Sequence, residues 1–344
     1  MTNPAPDAYA DPFATPTAPP PPVVPATPPP RQGIAGRELI VHIGWEALLA
    51  IATLGAIVLL LNTSSRAGLD TLLSQVAPLG LIGAAMALSL RTGTPNLAVG
   101  ALAVGAGTIG AELTTEQMPL VGAMAIGVAS AVIAALFIGL ITAVLSVPTW
   151  AVTLGAAALI EAGLLAAFHS KTIVILTEAG GKQPLWFVAF AVLTLAGGAI
   201  WLIPGLRRTL SHSRGAVAAG PWAGFRPGIG AIVGLTGSAF LAGLGGVAFT
   251  LRLHASPPPG ISGTLTLTAL AIALLGGVSV FGRRAGVTGT LFAAVLIGTI
   301  TQLLALEGFA SWSNFLVAGG AILIGLVVSR IIESASGPTV PAQV

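Results

Sequence analysis

The chain has 344 residues, of which 55% are hydrophobic and only 7% charged, and its mean hydropathy is +0.95. Soluble domains carry about a quarter charged residues, so a typical water-soluble fold is excluded and the chain is better counted in membrane spans. Net charge is +3, but the 14 Lys and Arg fall between apolar runs, where they set membrane orientation and give nucleic-acid binding no support. There is no cysteine, which excludes thiolate catalysis, Cys-ligated metals, disulfides and lipidation at Cys.

Residues 1–36 hold 12 of the 25 prolines, with runs at Pro19 to Pro22 and Pro28 to Pro30. Such a composition favours a solvated, disordered tail over a packed core. The first apolar run begins near Leu39, is too long for the apolar part of a signal peptide, and lacks a small-residue cleavage site. Ten runs follow one another at about 39–61, 72–90, 96–113, 119–146, 149–168, 185–204, 229–251, 264–281, 286–306 and 312–332. Backbone groups inside hydrocarbon must be satisfied within the segment, so these runs predict helices. The predicted fold class is therefore an all-α polytopic membrane protein with about ten transmembrane helices, of which the short, glycine-rich 96–113 is broken or re-entrant. The domain reading is a cytoplasmic tail over 1–36, a transmembrane domain over 37–333, and a short cytoplasmic tail over 334–344.

Distributing the cations over the loops tests the orientation. With the N-terminus inside, the inner side holds Arg31, Arg37, Arg91, Arg207, Arg208, Arg214, Arg226, Arg283, Arg284 and Arg330, and the outer side Arg66, Lys171, Lys182 and Arg252. Ten against four fits the positive-inside rule with both termini in the cytoplasm. The largest inner loop, 205–228, carries four of those ten arginines and is the expected contact for a cytoplasmic partner.

Catalytic signatures are weak. Gly105-Ala-Gly107-Thr-Ile-Gly110 formally satisfies a dinucleotide fingerprint but has neither a preceding strand nor an acid about 20 residues on. Its glycines, with Gly83/Ala87 and Gly107/Ala111 at small-xxx-small spacing, instead predict close helix packing. Gly181-Lys182-Gln183 lacks the P-loop spacing, so ATP hydrolysis would need a separate subunit. His42, His169, His212 and His254 lie in different segments, which disfavours a metal site, and the only aspartates are Asp7, Asp11 and Asp70. No catalytic residue, cofactor or metal is expected. Ionisable residues inside spans are costly, at about 2.5–3.5 kcal/mol for a helix centre. Glu46 and Glu161 therefore require partners or a function. The candidate polar pathway comprises Glu161 with Gln75, Asn96, Thr153, Gln302 and Asn314; the alternative is that the acids reach an interface or bond a neighbouring helix.

Four stretches taken in order carry a family resemblance over about residues 72–330. Asn96-Leu-Ala-Val-Gly100 is similar to an Asp-Leu-Ser-Val-Gly segment, with Asn in place of the acid. Val147-Pro-Thr-Trp-Ala-Val-Thr-Leu-Gly155 resembles Val-Pro-x-Phe-Ile-x-Thr-Leu-Gly. In the inner loop, Gly215, Ala218, Ala219, Gly224 and Phe225 match the spacing Gly-x-x-Ala-Ala-x-x-x-x-Gly-Ile, interrupted by Pro221 and Trp222. Finally, Leu275-Gly-Gly-Val-Ser279-Val-Phe-Gly282-Arg-Arg284 with Gly289-Thr290 resembles Leu-Gly-Gly-x-Ser-x-x-Gly-x-Lys and a following Gly-Thr.

Together these resemble the permease subunits of ribose-type, simple-sugar ABC importers, within the group that also contains branched-chain amino acid permeases. The resemblance implies a permease without an ATPase site of its own, partnered by cytoplasmic ABC ATPase subunits, an extracytoplasmic solute-binding protein and a second permease chain, in a homo- or heterodimer, in the plasma membrane. It assigns ATPase coupling to the segment Gly215 to Phe225. Relatives commonly have Arg where Glu161 stands, which points to a small polar solute, a sugar or nucleoside ahead of an anionic amino acid. A ten-span secondary carrier of the drug/metabolite type and an amino-acid-type ABC permease are the alternatives.

Overall fold

A computed structural model describes residues 34–64, 66–145, 147–176, 183–200, 203, 205, 225–279, 286 and 288–335. Within them the chain forms ten helices: α1 (Ile34–Thr63), α2 (Arg66–Arg91), α3 (Val99–Thr115), α4 (Leu120–Leu145), α5 (Thr149–Ala167), α6 (Gln183–Ile200), α7 (Phe225–Leu253), α8 (Ser262–Leu275), α9 (Gly289–Leu306) and α10 (Trp312–Ala335). Each falls on one of the ten apolar runs. The all-α architecture expected from the composition is what the described residues adopt, and their one β feature is an isolated bridge between Val174 and Ala255. α1 begins at Ile34, five residues before the apolar run, and the proline-rich residues 1–33 lie outside the described residues.

Seven helices are long and apolar enough to cross a bilayer, and three are shorter: Val99–Thr115, Pro184–Ile200 and Ser262–Leu275. At about 1.5 Å per residue, the 17 residues of α3 and the 14 of α8 span about 25 and 21 Å, short of a hydrocarbon core of about 30 Å. The expected irregularity in the third span lies ahead of the helix. Asn96, Leu97 and Ala98 are non-helical, whereas Val99–Thr115 is continuous.

α3 is the centre of the bundle, and most of its residues are buried. α4, α5, α7 and α8 pack directly on it, and α2 joins this centre through α7 and α8. Around them α6 leans on α2, α1 on α9, and α10 on α8. Glycines set these distances. A Cβ at Gly246 of α7 would meet the Ala103 carbonyl, one at Gly127 of α4 the Ala106 carbonyl, and one at Gly100 the Ser262 carbonyl. Three neighbours thus approach α3 at backbone distance, the geometry that small residues permit in membranes. The formal dinucleotide glycines belong to the same packing: a Cβ at Gly107 would lie 2.5 Å from Thr250 Oγ1 and one at Gly110 2.8 Å from Met124 Sδ. His169 and His254 are turn residues with φ of +52°, closing α5 and α7.

Candidate functional site

The chain between α2 and α3 is irregular and buried, so its backbone groups need partners that water cannot supply. Hydroxyls from three helices supply them. Asn96 N donates to Ser89 Oγ of α2 (3.2 Å), Leu97 N to Thr153 Oγ1 of α5 (3.1 Å), and Gly100 N to Thr266 Oγ1 of α8 (3.2 Å). Asn96, 1% exposed, completes the arrangement. Its Oδ1 accepts from Ala98 N (3.0 Å), and its Nδ2 donates to Ser238 Oγ of α7 (3.1 Å). Ala98, the N-cap residue of α3, has no side-chain capping bond of its own, so Asn96 acts as the cap from two positions upstream.

Thr153 also lies within hydrogen-bond distance of the Pro95 carbonyl (3.2 Å), which fastens α5 to the same segment. Two residues of the expected pathway, Asn96 and Thr153, are thus brought together in a saturated polar knot. Its other members, Ser89, Ser238 and Thr266, were not singled out by the sequence reading. Their signal was present, as hydroxyls within apolar runs, but it is weaker than that of an acid or an amide.

Glu161 stands two turns further along α5. Its Oε1 accepts from Gly260 N at 2.9 Å, just before α8, whose N-cap residue Ile261 makes no side-chain cap. A carboxylate beside a helix N-terminus also meets the positive end of the helix dipole. Its Oε2 is buried without a hydrogen bond and borders a small recess shared with Thr108, Phe168, Lys171, Pro257 and Pro259.

Glu46 does the corresponding work for α9. Its Oε2 accepts from Thr288 Oγ1 (2.7 Å) and its Oε1 from Gly289 N (3.2 Å). Both intramembrane acids therefore bond the N-terminal end of another helix, the alternative that the sequence left open beside pathway lining.

The remaining candidates lie elsewhere. Gln75 Nε2 donates to Thr301 Oγ1 (3.4 Å) and Gln302 Nε2 to the Gly68 carbonyl (2.8 Å), both joining α2 to α9, with Gln302 Oε1 buried and without a hydrogen bond. Asn314 is exposed in the first turn of α10. The six residues thus sit in four separate places: Asn96 with Thr153, Glu161 beside Gly260, Gln75 with Gln302, and Asn314. Of the coupling segment, Gly215, Ala218, Ala219 and Gly224 lie outside the described residues, and Phe225 opens α7.

No protein-family model matches the chain, and no solved structure matches it. Curated proteins do. The galactofuranose transporter permease protein of Escherichia coli (strain K12) is 28% identical over 274 residues, covering 75% of this chain and 78% of that relative. The chain is a homologue of sugar-importer permease subunits. The L-arabinose ABC transporter permease protein of Azospirillum brasilense gives the same picture, 25% identical over 283 residues, with 75% of this chain and 78% of the relative covered. The ribose import permease protein of Bacillus subtilis (strain 168) is 37% identical over 90 residues, and that match spans only 26% of this permease homologue and 28% of the relative. These matches favour the importer permease over the ten-span secondary carrier.

Proposed function

We propose that the chain is the membrane-spanning permease subunit of an ATP-driven sugar importer. The observation that carries this reading is the alignment over three quarters of both chains to permeases whose names specify galactofuranose and L-arabinose. The helical bundle supports it, with a central helix too short to span, entered through a buried non-helical segment. In this reading two permease chains form the pathway, cytoplasmic ATPases bind at the 205–228 loop, and a solute-binding protein delivers the sugar at the opposite face. ATP binding does work on the solute only because the ATPase holds one permease conformation more tightly than the other.

The orientation with both termini cytoplasmic has independent geometric support. Arg91 Nη2 donates to the Gly286 carbonyl (3.3 Å), placing the end of α2 close to the start of α9. At the other end Ile175 N donates to the His254 carbonyl (2.9 Å) and Ser256 N to the Ile173 carbonyl (2.7 Å), joining the segment that holds Lys171 to the end of α7, whose last turn holds Arg252. Among the described cations, Arg91 thus lies at one end of the bundle and Lys171 and Arg252 at the other, which supports the sides assigned to them by the charge count. Because the chain has no cysteine, Leu176→Cys, at a site 97% exposed, is expected to react with an impermeant maleimide in intact cells. Ser334→Cys is expected to react only after the inner face is opened, and the reverse pattern sinks the orientation.

The function itself is tested by uptake into proteoliposomes holding the permease, its ATPase and its binding protein. ATP-dependent accumulation of at least one of D-ribose, L-arabinose, D-galactose or D-fructose is expected. Accumulation of leucine or glutamate with none of these sugars would move the chain to the amino acid branch.

A further inference from the structure

α1 is mostly uncovered by the rest of the bundle, with 17% of its spanning window buried. Yet one of its faces carries three side chains that converge on a single target. His42, Trp45 and Glu46 sit at i, i+3 and i+4, neighbours on one helix face. Trp45 Nε1 donates to the carbonyl of Leu275, the last residue of α8, at 2.9 Å. Glu46 accepts from Thr288 and from Gly289, the residues that open α9. His42 Nε2 lies 3.5 Å from Glu46 Oε1, and its ring edge is 3.4 Å from where a Cβ would stand on Gly277, a turn residue with φ of +79°. α1 therefore grips the C-terminal end of α8 and the N-terminal end of α9.

Pulling α1 away from those ends would cost the Glu46 carboxylate its two donors on α9 and leave a helix-terminal carbonyl and a helix-terminal N–H without these partners, each of which is expensive. Moving those helix ends and α1 together breaks none of these bonds.

We propose that this clasp makes α1 and the facing ends of α8 and α9 one moving body, with Glu46 as the positioning residue that carries α1 along when those ends shift during transport. The proposal rests on the permease reading for the existence of that shift. It goes beyond it by assigning α1, which contributes little to the core, a part in the cycle.

The test uses the full complex in proteoliposomes, read by ATP hydrolysis and by uptake of labelled D-ribose, L-arabinose, D-galactose and D-fructose. Glu46→Ala is expected to lower the sugar carried per ATP about tenfold, while Glu46→Gln, which keeps one acceptor oxygen, stays within about threefold of wild type. In Glu46→Cys/Thr288→Cys, joining the two sites with a short bifunctional thiol reagent is expected to restore uptake at least about fivefold over the unjoined protein. Arrest of uptake on joining shows that the two elements must separate, and an unchanged rate shows that the link is irrelevant; either result overturns the proposal.

If the wild-type complex carries none of the four sugars, the permease reading fails instead. The clasp is then still read by thiol labelling of Ser279→Cys, buried in the same turn. N-Ethylmaleimide is expected to modify it about tenfold faster when Glu46→Ala is added, and an equal rate in the two backgrounds removes the clasp altogether.

Discussion

Gly246→Val is expected to eliminate monodisperse folded protein, the largest effect of any single substitution considered for this chain. A Cβ at Gly246 meets the oxygen, carbon and Cα of Ala103, all backbone atoms of α3. A flexible side chain could turn aside, but a helix backbone cannot move without carrying its other neighbours with it. Overpacking a core costs about 1–3 kcal/mol when the surroundings relax, and occasionally more. Here relaxation would require α3 to shift while Gly127 of α4 holds it at backbone distance at Ala106, so the upper end of that range or beyond is expected. The control is Gly155→Val on α5, where nothing lies within 4 Å of a built Cβ. Size-exclusion profiles and tryptophan-monitored melting in detergent decide the matter. A Gly246→Val protein that elutes and melts like Gly155→Val would show that the α3–α7 approach is looser than described.

The sequence specified the elements well because the signal for each was long and chemically simple. Runs of about 20 apolar residues between charges define helices in a bilayer with little ambiguity, and all ten runs hold one. What composition could not supply was depth. α8 was expected to run to 281 but ends at Leu275, because the apolar stretch continues through Gly276 and Gly277 into a turn. An apolar glycine pair reads as helix by hydropathy and as a terminator by conformation, and Gly277 at φ +79° shows that conformation prevails.

The polar residues were legible as anomalies but not as partners. Glu46 and Glu161 stood out because acids in apolar runs are costly. Nothing in the spacing linked Glu46 to Thr288 and Gly289, 242 and 243 positions away, or Glu161 to Gly260, 99 positions away. A polar residue that caps another helix has the same one-dimensional signature as one that faces a solute. Geometry adds the partners that one dimension lacks: at Asn96 the amide's acceptor and one of its donor hydrogens are engaged within the protein.

That engagement yields the second large prediction. Asn96→Leu keeps the branching and the number of heavy atoms but leaves Ala98 N without its acceptor and Ser238 Oγ without its donor, in a site 1% exposed. Each buried polar group left unsatisfied costs about 1–3 kcal/mol, so a loss of about 3 kcal/mol or more is expected. Asn96→Asp should behave differently. One carboxylate oxygen can still accept from Ala98 N, the other can accept the Ser238 hydroxyl proton, and a negative charge at the start of α3 meets the positive end of its dipole. Those gains offset much of the cost of burying the charge, and the Asp variant is expected within about 1 kcal/mol of wild type. A capping role and a solute-contacting role then part company in the measurements. If Asn96 caps α3, Leu lowers the melting temperature steeply, Asp scarcely moves it, and neither melting nor the concentration for half-maximal sugar uptake changes much in the Asp protein. If Asn96 touches solute, Asp shifts that concentration at unchanged melting temperature, and Ser238→Ala, which removes the partner hydroxyl alone, leaves uptake untouched. The hydrogen bonds at Asn96 predict the first pattern, with Ser238→Ala destabilising on its own and adding less than its full cost when combined with Asn96→Leu, since the two substitutions remove the same bond.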